Sequence, residues 1–241
     1  MGKDLLTMKH RVKLWILKSF PRLKLHVIFW PLHYPLMSFV YLSKLSAWQA
    51  QNKVSDFARK STSKLDLYSS VCPEGRQEID FLEFGVASGS TFKWWVENNK
   101  NSNSRFIGFD TFYGLPEAWG QYYQGYFSTE GREPDIRDSR VKFVKGLFQD
   151  TLLQILPELN LCRKTVLHLD ADLYSATIYV LLNMAHKLKK DDLIIFDEFS
   201  SPLHEFRAFN DFIDATKFAY EVIGMMDNFS QVVIKLGEVR R

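Results

Sequence analysis

The chain has 241 residues, 46% of them hydrophobic, and a formal charge of +3. That length holds one well-buried α/β domain with an appendage but not two full domains, and the composition excludes a disordered chain. Two cysteines, Cys72 and Cys162, offer neither a disulfide framework nor zinc-ligand spacing, so a reducing, cytoplasmic setting with both thiols as buried filler is expected.

The charge is uneven. Residues 1–53 carry nine Lys/Arg and one acid, Asp4, which leaves 22 basic and 27 acidic residues for the rest. The later part is therefore net acidic, which argues against a nucleic-acid substrate. Residues 4–19 read as a basic amphipathic helix that stops near Pro21, and His26 to Tyr34 as an aromatic connector broken by proline. A second helix fits from Pro35 to about Lys60, with Phe39, Leu42, Leu45 and Trp48 three apart. Lys18, Pro21, Arg22, Lys24, Pro31 and Pro35 interrupt the apolar character, so no transmembrane helix of about 18 residues is expected, nor a signal peptide. Residues 1–60 are thus set apart as a basic, apolar helical extension. Its first part, residues 1–35, is expected to contact a membrane surface peripherally or to wrap a neighbouring subunit of a homo-oligomer.

The stretch 61–78 leads into a domain that runs to residue 241 and alternates strand with helix. Strands are expected at Ile79–Val86, Arg105–Asp110, Val141–Lys145, Lys164–Asp170 and Leu193–Asp197, the fourth nearly all apolar as a central parallel strand should be. Helices are expected near Ser90–Asn98, over residues 151–159, from a Ser175 cap to Lys190, and around Phe206, Phe209, Phe212 and Ile213. Tyr220–Met225 and Gln231–Leu236, joined by Asp227-Asn228, read as an antiparallel hairpin. The alternation predicts a doubly wound, mostly parallel, seven-stranded Rossmann-like sheet with an antiparallel last strand, which separates a methyltransferase sheet from a dinucleotide-binding one.

Chemistry concentrates at the strand ends. The turn after the first strand, Glu83-Phe84-Gly85-Val86-Ala87-Ser88-Gly89-Ser90, brings backbone close to a ligand at a helix N-terminus, or is simply a tight turn. Ala87 stands where a dinucleotide fingerprint has its middle glycine, which argues against a nicotinamide-dependent dehydrogenase, and Glu83 two residues before Gly85 is typical of S-adenosylmethionine sites. Asp110, with Thr111 after it, ends the second strand 21 residues past Gly89, where an acid accepts ribose hydroxyls or caps the following turn. Gln149 and Asp150 either meet the adenine edge or cap the surface. Leu169-Asp170-Ala171-Asp172-Leu173-Tyr174 and Phe196-Asp197-Glu198 end two later strands. As neighbours about 4.8 Å apart, these would gather four carboxylates that repel one another unless a hard cation such as Mg²⁺ intervenes. Residues 111–139 are too long for an ordinary connection and are rich in aromatics, as a substrate lid or a structural excursion would be. His168 reads as a packed strand residue in preference to a base, and His204 as an exposed cap or a substrate contact.

Taken together, Leu82-Glu83-Phe84-Gly85-Val86 with Gly89, Phe109-Asp110 with Gly114-Leu115-Pro116-Glu117, Leu169 to Tyr174, and Phe196-Asp197-Glu198 resemble the macrocin and novobiocin-pathway sugar O-methyltransferase family over about residues 79–236. The resemblance implies a class I methyltransferase fold, S-adenosylmethionine and Mg²⁺ as cofactors, and a hydroxyl of a sugar or glycosylated small molecule as acceptor. Carried over residue by residue, Asp170, Asp197 and Glu198 would be metal ligands and Asp172 the general base. Two positions depart from the family pattern: Glu198 stands where a second aspartate is usual, and Ala171 where the motif has glycine. A catechol-type metal-dependent methyltransferase would place a lysine where Leu173 stands. A non-catalytic membrane-surface or assembly module is the remaining alternative, disfavoured by the complete acidic cluster.

Overall fold

The computed structural model describes residues 2–53, 60–72 and 77–240. Helix α1 spans Gly2–Arg22, with Pro21 in its last turn. Lys24, in the left-handed region at φ 51°, then turns the chain. Helix α2 (Leu25–Phe29), a 3₁₀ turn (Trp30–Leu32) and helix α3 (His33–Gln51) follow one another directly. Pro31 and Pro35 fall in the first turns of the 3₁₀ element and of α3, where a missing N–H is tolerated. This corrects the sequence expectation. No Asp, Glu, Lys or Arg lies between Leu25 and Ser43, and Leu25–Gln51 is long and apolar enough, by length and composition, to cross a membrane. Helix α3 also ends before Lys60, and residues 54–59 of its expected course lie outside the described residues.

The chain divides into two compact units, Met1–Ser46 and Ala47–Arg241. Among the described residues of the second, eight strands form one sheet: β1 (Lys60–Ser61), β2 (Ile79–Phe84), β3 (Arg105–Asp110), β4 (Val141–Lys145), β5 (Lys164–Leu169), β6 (Leu193–Phe196), β7 (Phe218–Met226) and β8 (Val232–Val239). Their order is β1-β7-β8-β6-β5-β2-β3-β4. Only β8 runs antiparallel to its neighbours, β6 and β7. Beyond the seven expected strands, the two-residue β1 adds an edge parallel to β7. Strands β2 and β6 are buried along their whole length, and β5 is buried from Thr165 on. That two-sided burial is why they read as near-continuous apolar runs.

Helices α5 (Ser90–Asn98), α6 (Phe148–Ile155), α7 (Tyr174–Met184) and α8 (Glu205–Thr216) complete the alternation. Helix α6 starts before the expected 151, taking in Gln149 and Asp150. Ser175 lies inside α7, not at its cap, because Leu173 holds that position and the Ser175 hydroxyl turns to Glu117. Helix α4 (Lys64–Val71) was not anticipated; Ser63 caps it by accepting the Asp66 N–H at 3.1 Å. On one face of the sheet, Phe81, Phe92, Trp95 and Phe106 are buried together with Tyr68 of α4. On the other side of the molecule Trp48 packs on Phe199, with ring centroids 4.8 Å apart, and on Phe206 and Phe209. Neither cysteine is buried filler: Cys72 is half-buried against the core, and Cys162 is exposed on the loop before β5.

Candidate active site

The order of strands reverses at β2, whose neighbours are β3 and β5, and there the carboxyl edge opens. Gly85 leaves β2 at φ 95°, and a Cβ on it would lie 1.9 Å from the Asp170 carbonyl oxygen. Only glycine allows that approach. Its N–H donates to Phe109 O at 2.9 Å while Asp170 N–H donates to Phe84 O at 2.9 Å, so the ends of three strands are knitted together. Asp110 shapes the turn: Oδ2 accepts the N–H groups of Val86 and Ala87 at 2.8 and 2.7 Å, and Oδ1 accepts that of Phe112 at 2.7 Å. Oδ2 is thereby filled, but Oδ1 keeps one lone pair for a further donor, so turn-holding and one ligand contact are compatible.

The acids after β5 and β6 do converge. Leu169 and Phe196 are register partners, and Asp170, Asp172, Asp197 and Glu198 all line one cavity of 670 Å³. Asp172 is placed by a left-handed backbone at φ 57°. Burial, then the charges of Glu198 and Asp197, push its carboxyl up to about 7. Burial, reinforced by Asp197 and Asp172, raises Asp170 well above the usual carboxylate range. Burial and then Asp197 raise Glu198. The counter-charge is Lys64, at the start of α4, whose ammonium donates to Asp197 Oδ2 at 2.6 Å. Burial lowers the Lys64 pKa, but Asp197, Asp170 and Glu198 outweigh it and the ammonium is held above its ordinary value.

Behind the cavity, the Tyr68 hydroxyl lies 3.4 Å from Asp197 Oδ1 and 3.3 Å from His168 Nε2. His168 is fully buried, and desolvation lowers its pKa to about 4, so it is a neutral, packed strand residue. Glu83 is buried beside it, raised first by desolvation and then by Asp170 and Asp197, with Oε2 lacking a hydrogen-bond partner. Glu205, also fully buried, accepts the Glu198 N–H at 2.8 Å and fixes the turn after β6.

Of the residues singled out in the sequence, Gly85, Ala87, Asp110, Thr111, Gln149, Asp170, Asp172, Asp197 and Glu198 line this cavity. Glu83, Ser88, Gly89, Ser90 and Asp150 do not. Glu83 points into the protein; Gly89, at φ 79°, takes the cap position of α5, with Pro134 2.5 Å from where its Cβ would be. His204 is half-buried, edge-on to Trp119 at 6.2 Å, and makes no side-chain cap. The long segment contributes Gly114, Leu115, Pro116, Glu117, Trp119, Tyr122 and Phe127 to the wall. Trp119 and Tyr122 stack at 5.4 Å. Lys64 was missed, although Ser63-Lys64-Leu65-Asp66 carries the Ser-x-x-Asp signature of a helix start.

The donor set has the chemistry a hard divalent cation requires: oxygen ligands in a cavity where burial, and then mutual repulsion, raise three of the four carboxylates. As the side chains stand, no group of three or more His, Cys, Asp or Glu among the described residues is arranged to hold a metal ion. Asp197, one of the metal ligands the resemblance implies, is paired here with Lys64.

Sheet order, antiparallel β8 and a cavity at the carboxyl edge define a class I methyltransferase fold. Solved structures share it: CalS11, a calicheamicin methyltransferase, is 21% identical, covering 72% of this chain and 77% of that one, with a TM-score of 0.54. The O-methyltransferase NovP is 22% identical, covering 72% and 78%, with a TM-score of 0.54. An O-methyltransferase from Bacillus cereus is 15% identical, covering 81% and 91%, with a TM-score of 0.50. No curated protein matches the sequence. The family model for macrocin O-methyltransferase (TylF) matches residues 127–233, a stretch that holds all four cavity acids. The chain has the class I methyltransferase fold and resembles the macrocin O-methyltransferase family over residues 127–233, less than half of its length.

Proposed function

We propose that this chain is an S-adenosylmethionine-dependent enzyme that methylates a hydroxyl of a sugar or glycosylated small molecule in the cytoplasm, assisted by a divalent cation such as Mg²⁺. The observation that carries the reading is the meeting of the Gly85 turn with Asp170, Asp172, Asp197 and Glu198 in one cavity. Gly85, Ala87, Asp110, Thr111 and Gln149 would hold S-adenosylmethionine, with Asp110 Oδ1 accepting one ribose hydroxyl. Asp170, Asp197 and Glu198 would hold the cation, which when bound acidifies an acceptor hydroxyl and fixes its orientation. Asp172 accepts the acceptor's proton as its oxygen attacks the methyl carbon and the carbon–sulfur bond breaks, releasing S-adenosylhomocysteine. Its elevated pKa suits a base working near neutrality. The 111–139 segment acts as a lid whose Trp119, Tyr122 and Phe127 offer faces for a sugar ring.

The Lys64–Asp197 pair favours a second reading, in which Lys64 is the resident cation and the reaction needs no metal. One experiment separates the two: methyl transfer from S-adenosylmethionine to a panel of sugar nucleotides and glycosides, after chelation and with Mg²⁺ restored. A loss of more than about tenfold on chelation, reversed by Mg²⁺, is expected. Full activity in chelator would replace the metal with Lys64. Intact S-adenosylmethionine binding with no methylation of any hydroxyl acceptor would overturn the sugar assignment.

A further inference from the structure

The N-terminal unit has a surface unlike that of the catalytic unit. Trp15, Trp30 and Phe39 are 66%, 71% and 71% exposed. On α1, Met8, Val12, Trp15 and Ile16 recur at helical spacing and form one stripe. By the same spacing, Arg11, Lys18 and Arg22 flank that stripe on one side and Lys9 and Lys13 on the other. Residues 1–24 hold seven Lys/Arg against one acid, and the uncharged run Leu25–Ser43 follows at once. An exposed apolar stripe bordered by cations is complementary to a layer that is apolar within and anionic at its surface.

We propose that residues 8–43 form a docking surface for an anionic lipid bilayer, lying in its headgroup interface and not crossing it. A crossing would separate the basic arm from the catalytic unit. If the catalytic unit works in the cytoplasm, as proposed above, a crossing would leave seven cationic residues outside, against the usual charge bias of membrane topology. Lying flat keeps both units on the side of the anionic leaflet. Trp30, Tyr34 and Tyr41 suit that depth, where aromatic rings with polar edges concentrate. The rest of the chain, with 22 basic and 27 acidic residues, would be repelled by the same surface, so attachment depends on the N-terminal segment.

The test is co-sedimentation of the full chain with phosphatidylcholine vesicles, with and without about one-third phosphatidylglycerol. Binding is expected only with the anionic lipid and should weaken as salt rises. Replacing Lys9, Arg11, Lys13 and Lys18 by Glu should weaken it by more than about tenfold. Trp15→Ser with Trp30→Ser should weaken it at every salt concentration, since buried apolar area is lost. A thermal shift with S-adenosylmethionine, retained in both variants, reports a folded catalytic unit. Full-length protein left in the supernatant with anionic vesicles overturns the proposal, as does binding unchanged in both variants. Resistance to alkaline carbonate extraction would replace the interfacial placement with a spanning one.

Discussion

The two edges of the sheet treat buried acid in opposite ways. At the amino edge Asp80 is 1% exposed, and its Oδ1 accepts from Arg105 at 2.7 Å and Arg163 at 3.3 Å. Asp192, equally buried, accepts the N–H groups of Thr165 and Lys189 at 2.8 and 2.9 Å. At the carboxyl edge, Asp170, Asp172, Asp197 and Glu198 share a cavity with one ammonium, that of Lys64. Charges that serve only the fold are matched locally. A cluster left short of counter-charge is destabilising by itself, and it persists where a ligand or a reaction uses it.

The sharpest way to break this contrast is Asp172→Asn. Turnover should fall about 10²- to 10⁴-fold with S-adenosylmethionine affinity nearly unchanged, read by single-turnover kinetics and calorimetry. Equal loss of cofactor affinity would move Asp172 from the base role to the binding wall.

A smaller effect is expected from pH. The Asp172 carboxyl, raised to about 7 by burial and neighbouring acids, must be ionised to accept a proton. Activity should therefore decline as pH falls through about 7, not near 4, by about tenfold per pH unit below it. If a cation binds beside it, added Mg²⁺ stabilises the carboxylate and moves that limb to lower pH. A limb that ignores Mg²⁺ would point to the lysine-only site.

The smallest effects compare the edges directly. Arg105→Met removes charge-assisted bonding to a buried carboxylate and should lower stability by about 2 kcal/mol without changing kcat. Lys64→Met removes a half-exposed ammonium, for which about 1 kcal/mol, or about 3 °C in Tm, is expected near pH 8. Its sign with pH is fixed by the raised pKa values of Asp170, Asp172 and Glu198. As pH falls they protonate, the repulsion that Lys64 offsets disappears, and the Tm gap between variant and parent should close. A gap that widens toward acid would contradict the assignment of Lys64 as the counter-charge.

Much of this was legible before any coordinates. Apolar runs bounded by Asp or Gly gave β2, β3, β5 and β6 to within a residue or two, because a strand buried on both faces has few alternatives in composition. The second acidic motif was legible because both its acids follow a strand directly. Lys64 was not, since it joins Asp197 across 133 residues of sequence, a separation that no local pattern encodes. Glu83 read as a ligand contact because it stands beside the turn, yet side chains alternate across a strand and its own points inward. The helix from Leu25 was obscured by Pro31 and Pro35, which the first turns of two helical elements absorb.

Sequence alone determined that this is an alternating α/β protein whose acids sit at strand ends, since periodicity and strand-terminal residues are properties of short segments. Tertiary structure alone decided which of those acids face one another, which are tied up by backbone N–H groups, and which single lysine answers them. Electrostatic partnership depends on distances of a few ångströms between segments far apart in the chain, and only the folded sheet fixes those distances.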